Sequence, residues 1–286
     1  MEPIDRVRVV TREGDREAER EDSLAVEEPL EIRIRAGGDG QLSSFVTTMR
    51  TPGNDPELAA GLLFAEGVLQ SGSDLLRLDR PTDPRIDSDL RVNVLIATLE
   101  REAFERARRL QRGTVMGSAC GVCGKTSIEN VIPADQPPLE SPLRVSPEFL
   151  YSLSGRLLER QSIFSKTGGL HAAALFAPDG SLRELAEDIG RHNATDKLVG
   201  AFFLRNQLPL SDSVLMVSGR AGFEIVQKAF TAGVPIVASV SAPSSLAVEL
   251  AQTGGITLIG FIRERRFNVY ANAQRVCSPG PSAKDS

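Results

Sequence analysis

The chain has 286 residues, 41% hydrophobic and 25% charged, the balance of a globular protein with one large or two modest domains. With a net charge of −5, no tryptophan and two tyrosines, it lacks both the positive field and the aromatic platforms that nucleic-acid binders use, and that charge gives no attraction to anionic membrane. The opening MEPIDRVRVVTREGDREAERED has no apolar signal core, no stretch nears the roughly 20 apolar residues of a membrane span, and three cysteines make no disulfide scaffold, so a reducing, cytoplasmic setting is expected.

Residues 11–23 are strongly charged and read as a mobile segment or hairpin loop, with regular structure starting at EEPLEIRIRA. There Leu30, Ile32 and Ile34 alternate with Glu31, Arg33 and Arg35, the period of a half-buried strand. Residues 42–49 supply its partner across the turn material AGGDGQ. TPGNDPEL starts a helix: Asp55 suits the cap, Pro56 the first helical position, and Leu58, Leu62, Ala65 and Leu69 one face. Residues 91–99 form another strand. The helix after it directs Phe104, Ala107 and Leu110 inward. Arg106, Arg108, Arg109 and Arg112 then form either a solvated face that complements the helix dipole or a docking patch for an acidic partner. Glycine-rich residues 113–127 break the periodicity and 133–142 are proline-rich, which puts a domain seam near 113–145.

Ser146-Pro147-Glu148 opens a helix with Leu150, Leu153 and Leu157 on one side. LHAAALF, the turn Pro178-Asp179-Gly180 and LRELAE predict a hairpin. Asn193 suits the cap of a helix carrying Leu198, Val199 and Phe202. From there SVLMVSG, a helix over AGFEIVQKAFTAG, PIVASVS, a helix over SSLAVELAQ, and ITLIGFI alternate. This is βαβαβ, with the short apolar strands of a parallel sheet buried on both faces, and the fold class is α/β, α+β overall.

SACGVCGK sets Cys120 and Cys123 among glycines and small residues, with Lys125 and a helix start at Thr126 to favour thiolate. Four readings are open: inert loop cysteines, a dithiol redox pair, two ligands of a zinc site, or a sulfur carrier. A redox pair commonly follows an early strand, and zinc needs two more ligands where only His171 and His192 exist. Cys277, in a polar tail, is incidental. Ligands of open α/β sheets settle beyond the carboxyl ends of the strands, and two such ends stand out. Ser218-Gly219-Arg220 offers a strand–glycine–helix turn to an anion. Arg263-Glu264-Arg265-Arg266 gathers three arginines that either bind phosphate or face water. His192, in Asp188-Ile189-Gly190-Arg191-His192-Asn193, is either a titrating group or a hydrogen-bonding one, and His171 reads as structural.

Taken together, EEPLEIRI, SACGVCGK, TGGLHAAALF, EDIGRHNATDKLVG, SGRAGFEIVQKAFTAGVPIVASVSAPSSLAVELA and TLIGFIRERRFNVYAN resemble the FdhD family of formate dehydrogenase accessory proteins, over residues 24 to 277. The resemblance implies a sulfurtransferase that takes persulfide sulfur from a cysteine desulfurase. It passes that sulfur to the molybdenum (or tungsten) bis-molybdopterin guanine dinucleotide cofactor, a bound substrate, for apo formate dehydrogenase. No permanently bound metal is expected. It places the persulfide on Cys120, with Cys123 as second thiol, and the cofactor segment on Phe261, Ile262, Arg263, Glu264, Arg265 and Arg266, aided by Ser218, Gly219 and Arg220. The family's turn there is of a lysine-proline-glycine-arginine type, so the position carries over and Glu264 is not expected to touch phosphate. It further implies a homodimer with three parts: a small α+β domain over 24–115, a mobile C-x-x-C loop and linker over 116–142, and a cytidine-deaminase-like three-layer domain over 143–277 that binds the cofactor. The deaminase zinc signature H-x-E…P-C-x-x-C is absent, so the fold does not bring deamination with it. The competing readings are a zinc-dependent hydrolase on that scaffold and a chaperone that only binds cofactor and apoenzyme.

Overall fold

Regular structure begins ahead of EEPLEIRIRA. A computed structural model describes residues 2–38, 40–83, 87–112 and 137–277; Cys120, Cys123, Lys125, Thr126 and most of the expected linker lie outside the described residues. Strands β1 (Ile4–Glu13) and β2 (Arg16–Ala25) pair antiparallel as a separate two-stranded sheet. Gly14, at φ 59, leads the two-residue turn, the place a hairpin of this length gives to glycine. The charged stretch 11–23 is therefore mostly strand, a correction to the loop expectation. Neither strand buries a residue fully; Val7, Val9 and Thr11 of β1 alternate half-buried with exposed Arg8 and Val10, while the first half of β2 is exposed throughout. The backbone ladder joins them, helped by pairs such as Arg12–Glu17 at 2.8 Å.

A four-stranded sheet follows in the order β4-β3-β6-β5, from β3 (Glu28–Ala36), β4 (Ser43–Arg50), β5 (Leu75–Asp79) and β6 (Val94–Leu99). β3 and β6 run parallel, and the outer pairs are antiparallel. The helices here are α1 (Asp55–Ala65), α2 (Ser88–Val92) and α3 (Arg101–Arg112). Asp55 does not cap α1. The cap is Asn54, left-handed at φ 54, without a side-chain hydrogen bond. The buried Asp55 carboxylate instead meets Arg50 Nε at 2.9 Å and Arg80 Nη2 at 2.7 Å, and two guanidinium partners hold a buried carboxylate better than one amide. Nor is α1 one-sided: Leu58, Ala59, Ala60, Gly61, Leu63 and Phe64 are all buried. In α3, Arg106 belongs to neither face reading. It donates to Val68 O at 2.9 Å and pairs with Asp74 at 2.7 Å, while Arg108 and Arg109 stay exposed.

The second half gives α4 (Pro147–Arg160), α5 (Phe164–Thr167), β7 (His171–Phe176), β8 (Leu182–Asp188) and α6 (Arg191–Leu204). Then come β9 (Val214–Val217), α7 (Phe223–Thr231), β10 (Ile236–Ser239), α8 (Ser245–Thr253), β11 (Thr257–Arg263) and β12 (Arg266–Ala271). Ser146 caps α4 by accepting from Phe149 N at 3.2 Å. The sheet order is β12-β11-β10-β9-β7-β8, with β9, β10 and β11 parallel. Alternate residues of the central strands enter two separate apolar clusters. Leu215, Val217 and Val237 face a cluster shared with α6, α7 and α8, while Val214, Met216, Ile236 and Ala238 face Leu150, Leu153 and Leu157 of α4. Helices thus cover both faces, the α/β arrangement expected from the apolar strands.

The first cluster also takes Leu30, Ile32 and Ile34 of β3 and Leu58 of α1, so one core runs between the two sheets. Its centre is the crossing of α1 and α6. Added Cβ atoms at Gly61 and Gly200 would overlap the Asp196 and Glu57 carbonyl oxygens respectively; the two backbones touch, and only glycine fits.

Candidate functional site

Three parallel strands end side by side, and the loops leaving them are stitched together. Val240 N donates to Val217 O at 3.2 Å, Ser244 N to Ala221 O at 3.3 Å, and Phe261 N to Ser241 O at 3.2 Å. The buried Ser239 hydroxyl donates to Ser241 O at 2.7 Å. Arg263 Nη1 reaches back to Val240 O and Ile262 O, each at 2.8 Å. Phe261 is left-handed at φ 55, inside a register shift between Gly260 and Arg263, and a Cβ on Gly260 would sit 3.0 Å from Ser241 O. The two segments singled out in the sequence, 218–220 and 261–266, therefore border one floor, with residues 240–244 between them. Arg263 and Arg266 are paired strand residues, and Glu264 and Arg265 form the turn of the β11–β12 hairpin. All four are exposed, as is Arg220, whereas Ile262 is fully buried beneath them. Arg263 is spent on holding the hairpin to the end of β10.

Ser218 does more joining than binding. Its Oγ accepts from Ala172 N at 2.9 Å and its N–H donates to Ala172 O at 3.0 Å, clamping the start of β7 to the end of β9. That clamp brings in His171, paired with Asp188 of β8. Burial, reinforced by the charge of Arg191, lowers the His171 pKa below the usual imidazole value, against a smaller opposite pull from Asp188. A Cβ on Gly219 would lie 3.3 Å from His171 Nδ1 and 3.5 Å from Arg191 Cδ, so the loop passes this pair at contact distance.

Asp188 organises the same end of the sheet. It is wholly buried and meets Lys197 Nζ at 2.7 Å. It also accepts from Gly190 N, Thr51 N and Asn193 Nδ2 at 2.9, 3.1 and 3.0 Å. Asn193 is not the cap of α6. That position is Gly190, and Asn193, within the first turn, donates to Met49 O at 2.7 Å. A tertiary acceptor has displaced the local one. His192 Nε2 stands 3.1 Å from Glu224 Oε2, tying the first turns of α6 and α7. Burial raises the Glu224 pKa to about 7, against the pull of Lys228 and Arg191. Deeper, Asp196 pairs with Lys228 at 2.6 Å, and burial lifts the Asp196 pKa to about 6.

None of these ion pairs is predicted by strand or helix periodicity. The available signal is the adjacent charges Asp196 and Lys197 inside the apolar run ATDKLVGAFF. A separate cavity of about 240 Å³ opens at the start of α1 between Arg50, Asn54, Asp55 and Arg80, where both arginines are already paired with Asp55. Among the described residues no group of three or more histidine, cysteine, aspartate or glutamate side chains is placed to hold a metal ion. No described helix is long and apolar enough to cross a membrane.

Comparison with known proteins gives a consistent result. A family model described as the FdhD/NarQ family matches residues 25–277. The chain is 48% identical over 259 residues to the sulfur carrier protein FdhD of Streptomyces coelicolor, covering 90% of each chain. It is 44% identical to that of Mycobacterium tuberculosis, covering 90% of this chain and 92% of the relative. It is 40% identical to that of Sulfurisphaera tokodaii, covering 96% and 99%. The fold is similar to a crystal structure described as a formate dehydrogenase accessory protein from Desulfotalea psychrophila, with a TM-score of 0.71 at 21% identity, covering 96% of this chain and 100% of the other.

Proposed function

The chain belongs to the FdhD/NarQ family, and from that membership we propose that it is a sulfur carrier serving formate dehydrogenase. It takes persulfide sulfur from a cysteine desulfurase and passes it to the molybdenum (or tungsten) bis-molybdopterin guanine dinucleotide cofactor before the cofactor enters the apoenzyme. The cofactor is a substrate here, not a resident group. Its nucleotide ends bind across the floor formed by the loops after β9, β10 and β11, with Arg220, Arg265 and Arg266 on the phosphates.

The observation that carries the binding half of this reading is the joining of 217–221, 240–244 and 261–263 by backbone hydrogen bonds and by the Arg263 side chain at the carboxyl ends of parallel strands, where open α/β sheets receive ligands. The chain is acidic overall, so a polyanion needs this local group of arginines, whose planar forks match phosphate oxygens.

In the sulfur step, the Cys120 thiolate attacks the outer sulfur of the desulfurase persulfide. A new S–S bond forms on Cys120 as the donor S–S bond breaks, and the donor cysteine leaves as thiolate. Attack by Cys123 on the inner sulfur then closes a Cys120–Cys123 disulfide and expels the outer sulfur as hydrosulfide for the metal. A cellular thiol reduces the pair for the next round.

Mass spectrometry after incubation with desulfurase and cysteine tests this. We expect a gain of one sulfur that disappears in Cys120→Ala. Loss in Cys123→Ala alone would exchange the roles of the two thiols. Full rescue of formate dehydrogenase by the double cysteine-to-alanine variant would refute sulfur transfer and leave a binding chaperone. For the nucleotide end, Arg265→Ala with Arg266→Ala weakens GDP binding in calorimetry, and an unchanged isotherm removes that site.

A further inference from the structure

The charges at this end of the large sheet are paired: Asp188 with Lys197 and Asp196 with Lys228 as buried pairs, and Glu224 with His192 as a part-buried one. Arg191, itself part-buried, is different. Among the described residues its side chain makes no hydrogen bond or ion pair, and its Nε is buried without an acceptor. The carboxylates of Asp188 and Glu224 already meet Lys197 and His192. A buried donor left unmatched costs about 1–3 kcal/mol, and such groups persist where something outside the chain supplies the acceptor.

The surroundings suit an anion. Arg191 is the first residue of the 14-residue helix α6, whose cap Gly190 has no side chain to satisfy the opening N–H groups. α7 likewise starts after Gly222 with no side-chain cap. The His192–Glu224 contact holds these two helix starts together, so both positive dipole ends meet beside the guanidinium. A Cβ on Gly219 would lie 3.5 Å from Arg191 Cδ and 3.3 Å from His171 Nδ1, so the loop backbone runs at contact distance from both side chains.

We propose that Arg191, between His171 and Gly219 where α6 and α7 begin, binds a diphosphate group carried by a nucleotide. The inference rests on the nucleotide-binding reading above and deepens it. Arg191 then shares the diphosphate with the exposed arginines of the floor, reaching it from the edge nearest β7.

The test is calorimetry with inorganic pyrophosphate, GDP and guanosine, on the wild-type chain and on Arg191→Ala and Arg191→Gln. We expect the wild type to bind pyrophosphate and GDP, and both variants to bind each at least about tenfold more weakly, the loss of roughly one charge-assisted hydrogen bond. Guanosine affinity should be equal in all three. Thermal melts of the apo proteins check folding. If Arg191→Ala does not fold, Arg191→Gln, which keeps the length without the charge, decides. No pyrophosphate binding by the wild type, or variants that bind both anions as tightly as the wild type, overturns the assignment. Sulfur loading of Cys120 is read separately by mass, so sulfur transfer can stand while this site falls.

Discussion

Replacing Gly200 with alanine probes the crossing that carries α6, and with it Arg191 and His192, to the site. An added Cβ would overlap Glu57 O and come within 2.7 Å of Gly61 N and 2.8 Å of Glu57 C. These are backbone atoms with no rotamer to escape into. Non-bonded heavy atoms rest at about 3.5–4.0 Å, so α1 and α6 must part by roughly 1.5 Å or more at a crossing where the Phe64 and Phe203 rings also meet, 5.3 Å between centroids. Helix propensity alone favours alanine by about 1 kcal/mol. Overpacking costs about 1–3 kcal/mol where side chains can adjust and more where they cannot, so we expect a net loss of about 2–3 kcal/mol. At roughly 2–4 °C per kcal/mol for a chain near this size, Tm falls by about 4–12 °C. Gly155, exposed in α4 with nothing within 4 Å of its Cβ position, is the matched control: Gly155→Ala should stabilise by up to about 1 kcal/mol. Urea and thermal unfolding of the two variants must move in opposite directions. A Gly200→Ala protein as stable as the wild type would refute the close backbone approach.

Lys197→Met leaves the carboxylate of Asp188 buried without its counter-charge and should cost about 3–5 kcal/mol; a loss below about 1 kcal/mol in urea unfolding would mean the pair is not buried as described. Glu224 gives a pH signature. Its folded pKa of about 7 exceeds the ordinary 4.5, so folding favours the protonated acid, and the stability it contributes is full below about 4.5 and lost as pH rises through about 7. Between pH 7 and 4.5 the wild type should therefore gain on Glu224→Gln by an amount on the order of 2 kcal/mol; parallel stability–pH curves for the two proteins would refute it.

The central strands were legible because burial on both faces removes any need for polar residues: VLMV and IVAS are uninterrupted apolar runs, and both are strands with every residue buried. The helices between them, FEIVQKAFT and SLAVELAQT, intersperse polar with apolar residues, and Ser146 is a serine cap ahead of proline at the start of α4. Where the reading failed, a distant partner outcompeted a local one. Asp55 and Asn193 are good caps in isolation, but Arg50 and Arg80 claim the first, and Met49 O and Asp188 the second. The β1–β2 hairpin is faint in the sequence because only Val7, Val9 and Thr11 of β1 alternate and the first half of β2 is charged and exposed throughout.

Of the candidate site, the glycine turn 218–220 and the arginine cluster 263–266 could be named from the sequence, because both follow recognisable strands. Their relation could not. The chain that separates them holds α7, β10, α8 and β11, and only parallel pairing of β9, β10 and β11 lays their ends on one floor. Arg191 was one letter in a motif until the structure placed its guanidinium beside Gly219 without an acceptor. Local sequence decides which residues are apolar and at what period, and so which elements form and which family the chain joins. Charge pairing and close backbone contact depend on distances between remote segments, and those exist only once the sheets and the α1–α6 crossing have packed.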